Sequence, residues 1–178
     1  MIKVGFIGTG DISLLHSEGV HSSENAVLTG IWNRTRKKAE EKSGLFNRRV
    51  FEQDEELIKA VEVVYVLTNM ETHHQYARQA IDAGKHVLVE KPTAVTIEEI
   101  EDLKKAAKAQ GVQVAPVHNY IYEPSVTRAK DLIESGKIGD LVSLYVLYNI
   151  HHPESVAARY PGVIRQILTH HAYCTLYL

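Results

Sequence analysis

The residues most able to do chemistry come first in the chain. Gly8-Thr9-Gly10-Asp11-Ile12-Ser13 follows an apolar run and opens a helical stretch. A glycine turn in that place can hold phosphate. The first glycine permits a tight turn, the second lets the backbone approach a pyrophosphate, and the unpaired N–H groups of the helix start meet the phosphate oxygens. The third position is Ser13 rather than Gly or Ala. Glycine turns between strands and helices are common. This one gains weight from standing after the first strand and before the first helix of an alternating series. The plainer reading, an empty turn, is set aside on that ground.

The end of the second apolar run reads Asn33-Arg34-Thr35-Arg36-Lys37-Lys38. A site for NAD places an acid there for the ribose hydroxyls, and none is present. Arg34 could pair with a 2′-phosphate and Thr35 could hydrogen-bond it. Lys37 and Lys38 read as the solvated start of a helix. NADP is the expected cofactor, with NAD as the alternative.

These residues need a scaffold, and the hydrophobic pattern supplies one. Strands are expected over 2–7, 26–32, 50–51, 63–67, 86–89 and 112–117, the first a continuous apolar run of the kind buried on both faces. Helices alternate with them: from residue 12 to about 22, then 35–43, 55–60 capped by Asp54, 72–83 stopped by Gly84, and one ending at Gln110. A capping box of Thr96 and Glu99 opens the last. Such alternation implies an α/β fold, a Rossmann-type doubly wound parallel sheet, over residues 1–120. After Pro124 the texture changes. A helix over 125–135, a strand over 141–150, an irregular stretch over 151–161 and a largely apolar helix over 162–178 read as the incomplete start of a second, α+β antiparallel-sheet domain, residues 121–178.

Further motifs stand in a characteristic order. Thr68-Asn69-Met70-Glu71-Thr72-His73 precedes a helix, Gly84-Lys85-His86 and Glu90-Lys91-Pro92 follow it, and Asn119 and Gly136-Lys137-Ile138-Gly139 come later. With the glycine loop, this series resembles the Gfo/Idh/MocA oxidoreductases. The resemblance implies a Rossmann domain, then a mostly antiparallel sheet domain, with the active site between them. It also implies hydride transfer between a nicotinamide cofactor and a hydroxyl carbon of a small sugar- or cyclitol-like substrate. On it, Glu90-Lys91-Pro92 lies against the nicotinamide ribose and the substrate, with the proline at a cis or otherwise special turn. Lys91 becomes the catalytic lysine, its ammonium stabilising a developing alkoxide and relaying a proton. Thr68, Asn69, His73 and Asn119 join the cofactor site. His170 falls on the family's catalytic histidine, while Gln166, Leu168 and Tyr173 replace an acid, a glycine and a second acid. Ile121 stands where an arginine is usual, and Asn69 where a proline is frequent. These departures support a second reading, a non-catalytic dinucleotide-binding relative. The family's members are longer than 178 residues, so the chain reads as a fragment, the product of a truncated gene or a small relative.

The remaining signals narrow the class. Tyr120 and Tyr122 could stack on a sugar ring or pack between domains. The pairs His73-His74, His151-His152 and His170-His171 lack zinc spacing, and neighbours on a helix diverge, so no metal is expected. Net charge near −2 implies no attraction to nucleic acid or anionic membrane. No leader or spanning run is read, and the single Cys174 fits a reducing cytoplasm. An apolar side of Ile164, Ile167, Leu168, Leu176 and Leu178 predicts pairing of two copies into a homo-oligomer.

Overall fold

The first strand alternates between two layers. Val4 and Phe6 are buried in one apolar cluster and Ile7 in another, as the two-residue period of a strand requires. A computed structural model of the chain describes residues 1–149, 151, 154 and 167–178. It divides into two compact units, Met1–Val117 and His118–Leu178.

The first unit holds strands β1 (Ile2–Ile7), β2 (Ala26–Trp32), β3 (Arg49–Val50), β4 (Val63–Val66), β5 (His86–Val89) and β6 (Val114–Pro116). All pair in parallel, in the order β3-β2-β1-β4-β5-β6. Helices α1 (Ile12–His21), α2 (Arg36–Phe46), α3 (Asp54–Ala60), α4 (His73–Asp82) and α5 (Ile97–Gln110) make the crossovers. Val20, Ala39 and Phe46 of α1 and α2 pack with Phe6 and Ile31. Leu57, Ile81 and Leu103 of α3, α4 and α5 pack with Ile7, Val64 and Val89. Burying one such large side chain contributes about 1.5–3 kcal/mol, so the two clusters fix the sheet between its helices. The strand order reverses between β1 and β4. In open sheets of this kind, ligands lie outside the carboxyl ends of the strands at that point.

Local signals set several boundaries. The Thr96 hydroxyl accepts from the Glu99 N–H at 3.2 Å and the Glu99 carboxylate from the Thr96 N–H at 3.3 Å, so the capping box opens α5. Gly84 follows α4 at φ 71°, a conformation that costs a side-chain-bearing residue about 1 kcal/mol or more. Asp54 is not a cap. Gln53 holds that position without a side-chain bond, and Asp54 is the first helical residue, where a carboxylate meets the positive end of the helix.

The second unit contains a short 3-10 turn (Asn119–Tyr122) and helices α6 (Pro124–Glu134) and α7 (Thr169–Tyr177). The strand expected over 141–150 is not formed over 141–149, which is irregular and exposed. A strand exists through its ladder, and no described residue pairs with this run. Of the helix expected over 162–178, residues 162–166 lie outside the described residues. Among the described residues no helix is long and apolar enough to cross a membrane.

Candidate functional site

The glycine loop leaves the carboxyl end of β1. Gly8 stands at φ 101°, and a Cβ there would lie 2.6 Å from the Leu67 carbonyl oxygen and 2.9 Å from the Thr68 nitrogen. Both the backbone angle and the close passage of the chain after β4 therefore demand glycine. Its N–H donates to the Trp32 carbonyl at 2.9 Å. The buried Thr9 hydroxyl accepts from the Asn33 side-chain amide at 3.0 Å, which ties the loop to the end of β2. The buried Ser13 hydroxyl donates to the Gly10 carbonyl at 2.6 Å. The serine at the third position thus closes the turn with its own side chain.

Around Gly10 the situation is the reverse of Gly8. A Cβ would meet nothing within 4 Å. Gly10, Asp11 and Ile12 are exposed, and no side chain caps α1. An open cradle before a helix start that no side chain caps suits a pyrophosphate, so these residues fit a dinucleotide.

Beyond β2, the basic residues separate. Arg36 donates to Glu40 at 2.6 Å and also pairs with Glu52, so it is engaged by the protein. Arg34 is exposed, and among the described residues no ion pair involves it. It lies near Tyr76, whose phenol is pushed up by burial and by Asp54 and drawn back by the Arg34 charge. Thr35 precedes α2, and its hydroxyl makes no cap bond there.

On the other side of the reversal, two segments meet. The Thr72 hydroxyl donates to that of Thr68 at 2.8 Å, and Asn69 is exposed beside them. The His73 ring is 1% exposed. Its Nδ1 lies 2.7 Å from the Pro92 carbonyl oxygen and its Nε2 2.9 Å from that of Thr68. The ring therefore sits between main-chain carbonyls, and its N–H donates to one of them while the buried ring packs the segment after β5 against the loop after β4. Its neighbour His74 turns away to Asp102 at 2.8 Å.

Glu90, Lys91 and Pro92 follow β5, and the Lys91–Pro92 peptide is cis. Lys91 is half-buried. Glu90 is 8% exposed; its Oε1 is 2.9 Å from His16 Nε2 and its Oε2 accepts the Lys91 N–H at 2.9 Å. Burial pushes the carboxyl up. The His16 hydrogen bond and charge, the Lys91 N–H and the Lys91 ammonium outweigh it and hold Glu90 below its ordinary value. Sequence reasoning missed His16. It stands one turn inside α1, 74 positions from its partner, and no local pattern marks it.

In the second unit, Asn119 is exposed at the start of the turn. Tyr120 lies flat against His170, ring centroids 4.2 Å apart and planes 15° apart, and His118 against Tyr173 at 4.0 Å and 13°. A hydrogen bond with Tyr148, then burial, pushes the Tyr120 phenol up. One face of Tyr120 is thus covered by His170, while Tyr122 is 78% exposed. Gln166 lies outside the described residues. Among the described residues, no group of three or more His, Cys, Asp or Glu is arranged to hold a metal ion.

Residues 2–118 match the sequence model of a family described as an oxidoreductase family with an NAD-binding Rossmann fold. The chain is 34% identical over 146 residues to the glucose-6-phosphate 3-dehydrogenase of Bacillus subtilis (strain 168), covering 82% of this chain and 42% of that protein. It is 34% identical over 162 residues to the scyllo-inositol 2-dehydrogenase (NADP(+)) IolW of the same organism, covering 89% and 44%. The solved structure of GenD2 from gentamicin A biosynthesis, in complex with NAD, superposes with a TM-score of 0.72 at 29% identity, covering 76% of this chain and 40% of that one. The chain spans less than half the length of these relatives.

Proposed function

The chain belongs to the Gfo/Idh/MocA oxidoreductases, and from that premise we propose that it serves hydride transfer between NADP(H) and a hydroxyl carbon of a sugar- or cyclitol-like molecule. One observation carries the reading: the open glycine cradle and the Glu90–Lys91–Pro92 segment stand at the carboxyl edge of one parallel sheet, on the two sides of its reversal.

Each part of the dinucleotide has residues suited to it. Gly8, Thr9, Gly10, Asp11 and Ile12 receive the pyrophosphate through main-chain donors. Asn33, Arg34 and Thr35 receive the adenosine ribose, and the uncommitted Arg34 guanidinium takes the 2′-phosphate. NADP is preferred over NAD because no acid follows β2; the relative IolW is NADP-dependent by name, while GenD2 was solved with NAD. Thr68, Asn69, Glu90, Pro92 and Asn119 serve the nicotinamide half, and His73 serves it by holding Thr68 and Pro92.

When bound, the nicotinamide supplies the hydride donor or acceptor. Lys91 does the rest of the chemistry in the first unit. Its ammonium stabilises negative charge growing on the substrate oxygen and moves a proton at that oxygen. His170 is the second proton-handling residue proposed, with Tyr120, Tyr122 and Gln166 for substrate recognition. The substrate class comes from the relatives named glucose-6-phosphate 3-dehydrogenase and scyllo-inositol 2-dehydrogenase. The reading extends to a cytoplasmic protein that self-associates through exposed apolar side chains such as Leu168 and Leu176; light scattering that finds a monomer overturns the latter.

The test is a titration with NADPH and NADH followed by nicotinamide fluorescence, then a screen of sugars and cyclitols with Lys91→Ala as control. Tighter NADPH binding, with turnover lost in Lys91→Ala while the cofactor still binds, is the expected result. Binding without turnover of any polyol supports the non-catalytic reading. Failure to bind either nucleotide overturns both.

A further inference from the structure

His16 has no place in the function described so far, yet it is among the best-fixed polar side chains near the candidate site. Its ring stands edge-on to Phe6 of β1, centroids 6.4 Å apart at 76°, and to Tyr65 of β4, 5.7 Å apart at 80°. Those are the two strands between which the sheet order reverses. The side chains of His16 and Glu90 are only 14% and 10% exposed. Both carboxylate oxygens have donors, His16 on one and the Lys91 N–H on the other.

We propose that His16 is a positioning residue: through the Glu90 carboxylate it sets the main chain at Lys91 for the nicotinamide end of a bound dinucleotide. The inference rests on the cofactor reading above. A buried carboxylate that loses a donor is costly where it stands and turns toward water or another partner. Glu90 cannot turn without releasing the Lys91 N–H. The effect is confined to one end of the ligand by topology. In a doubly wound sheet the two nucleotide halves lie on opposite sides of the reversal. The adenosine half faces the end of β2, and the nicotinamide half faces the ends of β4 and β5. A disturbance passed from His16 to Glu90 reaches only the second half. A simple structural role for His16 in α1 would loosen the glycine loop and so weaken both halves together.

Two probes separate these cases without any turnover: NADPH, and 2′-phospho-ADP-ribose, which keeps the adenosine and pyrophosphate and lacks the nicotinamide. The full chain, His16→Leu and His16→Gln are titrated with both. His16→Leu is expected to weaken NADPH about ten-fold, the scale of one hydrogen bond to a charged group, and to leave 2′-phospho-ADP-ribose within about two-fold. His16→Gln, whose amide nitrogen reaches about as far as Nε2, is expected to restore most of the NADPH affinity. If His16→Leu does not fold, His16→Asn, too short to reach Glu90, replaces it with the same expectation. Equal weakening of both probes, or of neither, overturns the proposal. A parent chain that binds 2′-phospho-ADP-ribose and NADPH equally well also overturns it, since no nicotinamide contact then exists to position. A parent that binds neither probe removes the cofactor reading itself and the proposal with it.

Discussion

The Asn33 side-chain amide donates to the Thr9 hydroxyl at 3.0 Å, joining the end of β2 to the middle of the glycine loop. Thr9 is buried, so the loop is held in shape before any ligand arrives, and binding need not order it. Asn33→Leu removes the donor and leaves a buried hydroxyl to find another partner. A loss of about 1 kcal/mol of stability is expected, with NADPH affinity lowered about three- to ten-fold. Urea unfolding and a fluorescence titration of the same variant check the two effects.

Gly8 and Gly10 are expected to respond oppositely to one added methyl. At Gly8 the methyl meets the Leu67 carbonyl in a backbone conformation hostile to side chains, so Gly8→Ala costs about 3 kcal/mol or more of stability. At Gly10 the methyl meets no protein atom within 4 Å. Gly10→Ala therefore unfolds in urea like the parent, yet loses nucleotide affinity because the methyl occupies the pyrophosphate's approach. Parallel unfolding and binding curves test the pair.

Arg34 and Arg36 are two positions apart and should divide the same way. Arg36 is held by Glu40 and Glu52, whereas Arg34 is not in an ion pair among the described residues. Arg34→Ala is expected to weaken NADPH about ten- to a hundred-fold, the scale of a charge-assisted phosphate bond, with little change for NADH. Arg36→Ala is expected to leave the ratio of NADPH to NADH affinity unchanged. A ratio that moves in Arg36→Ala and not in Arg34→Ala overturns the assignment to Arg34 and gives the phosphate to Arg36.

Glu90 gives a pH dependence with a definite sign. Its carboxyl lies lower in the folded chain than its ordinary value of 4.5, so in acid the unfolded chain binds more protons and stability rises with pH. The contribution is complete above that ordinary value and is lost as pH falls through the lowered one. In His16→Leu the main opposition to burial is gone, so Glu90 is held down less and its share of the stability lost in acid is smaller than in the parent. Thermal unfolding of both proteins between pH 3 and 7 reads the difference, in which the exposed carboxylates common to both cancel.

What the sequence disclosed follows the range of the forces involved. The Thr96–Glu99 box is legible because its partners lie three residues apart, and the glycine loop because its residue types mark a tight turn before a helix, although Trp32, Asn33 and Leu67 fix its shape. Strands β1 and β4 are legible because their central place in the sheet leaves continuous apolar runs. Asp54 stands one position past the cap that its residue type suggests, since an acid suits both a cap and a first helical turn. The run over 141–149 has a strand's composition, but its state depends on a partner strand that composition does not encode. The His16–Glu90 contact and the two carbonyls at His73 were invisible for the same reason: each joins segments that become neighbours only once the sheet has formed.

Pro116 closes β6 at one end of the sheet order. The next residue, Val117, donates its N–H inward to the Val89 carbonyl at 2.9 Å. Successive residues of a strand point their N–H groups to opposite sides, so the Pro116 nitrogen faces outward, where it carries no hydrogen. A strand approaching that side of β6 finds a missing donor at that place. The proline thus acts as a guard against edge-to-edge aggregation, and replacing it by alanine would complete a template for unwanted β-pairing.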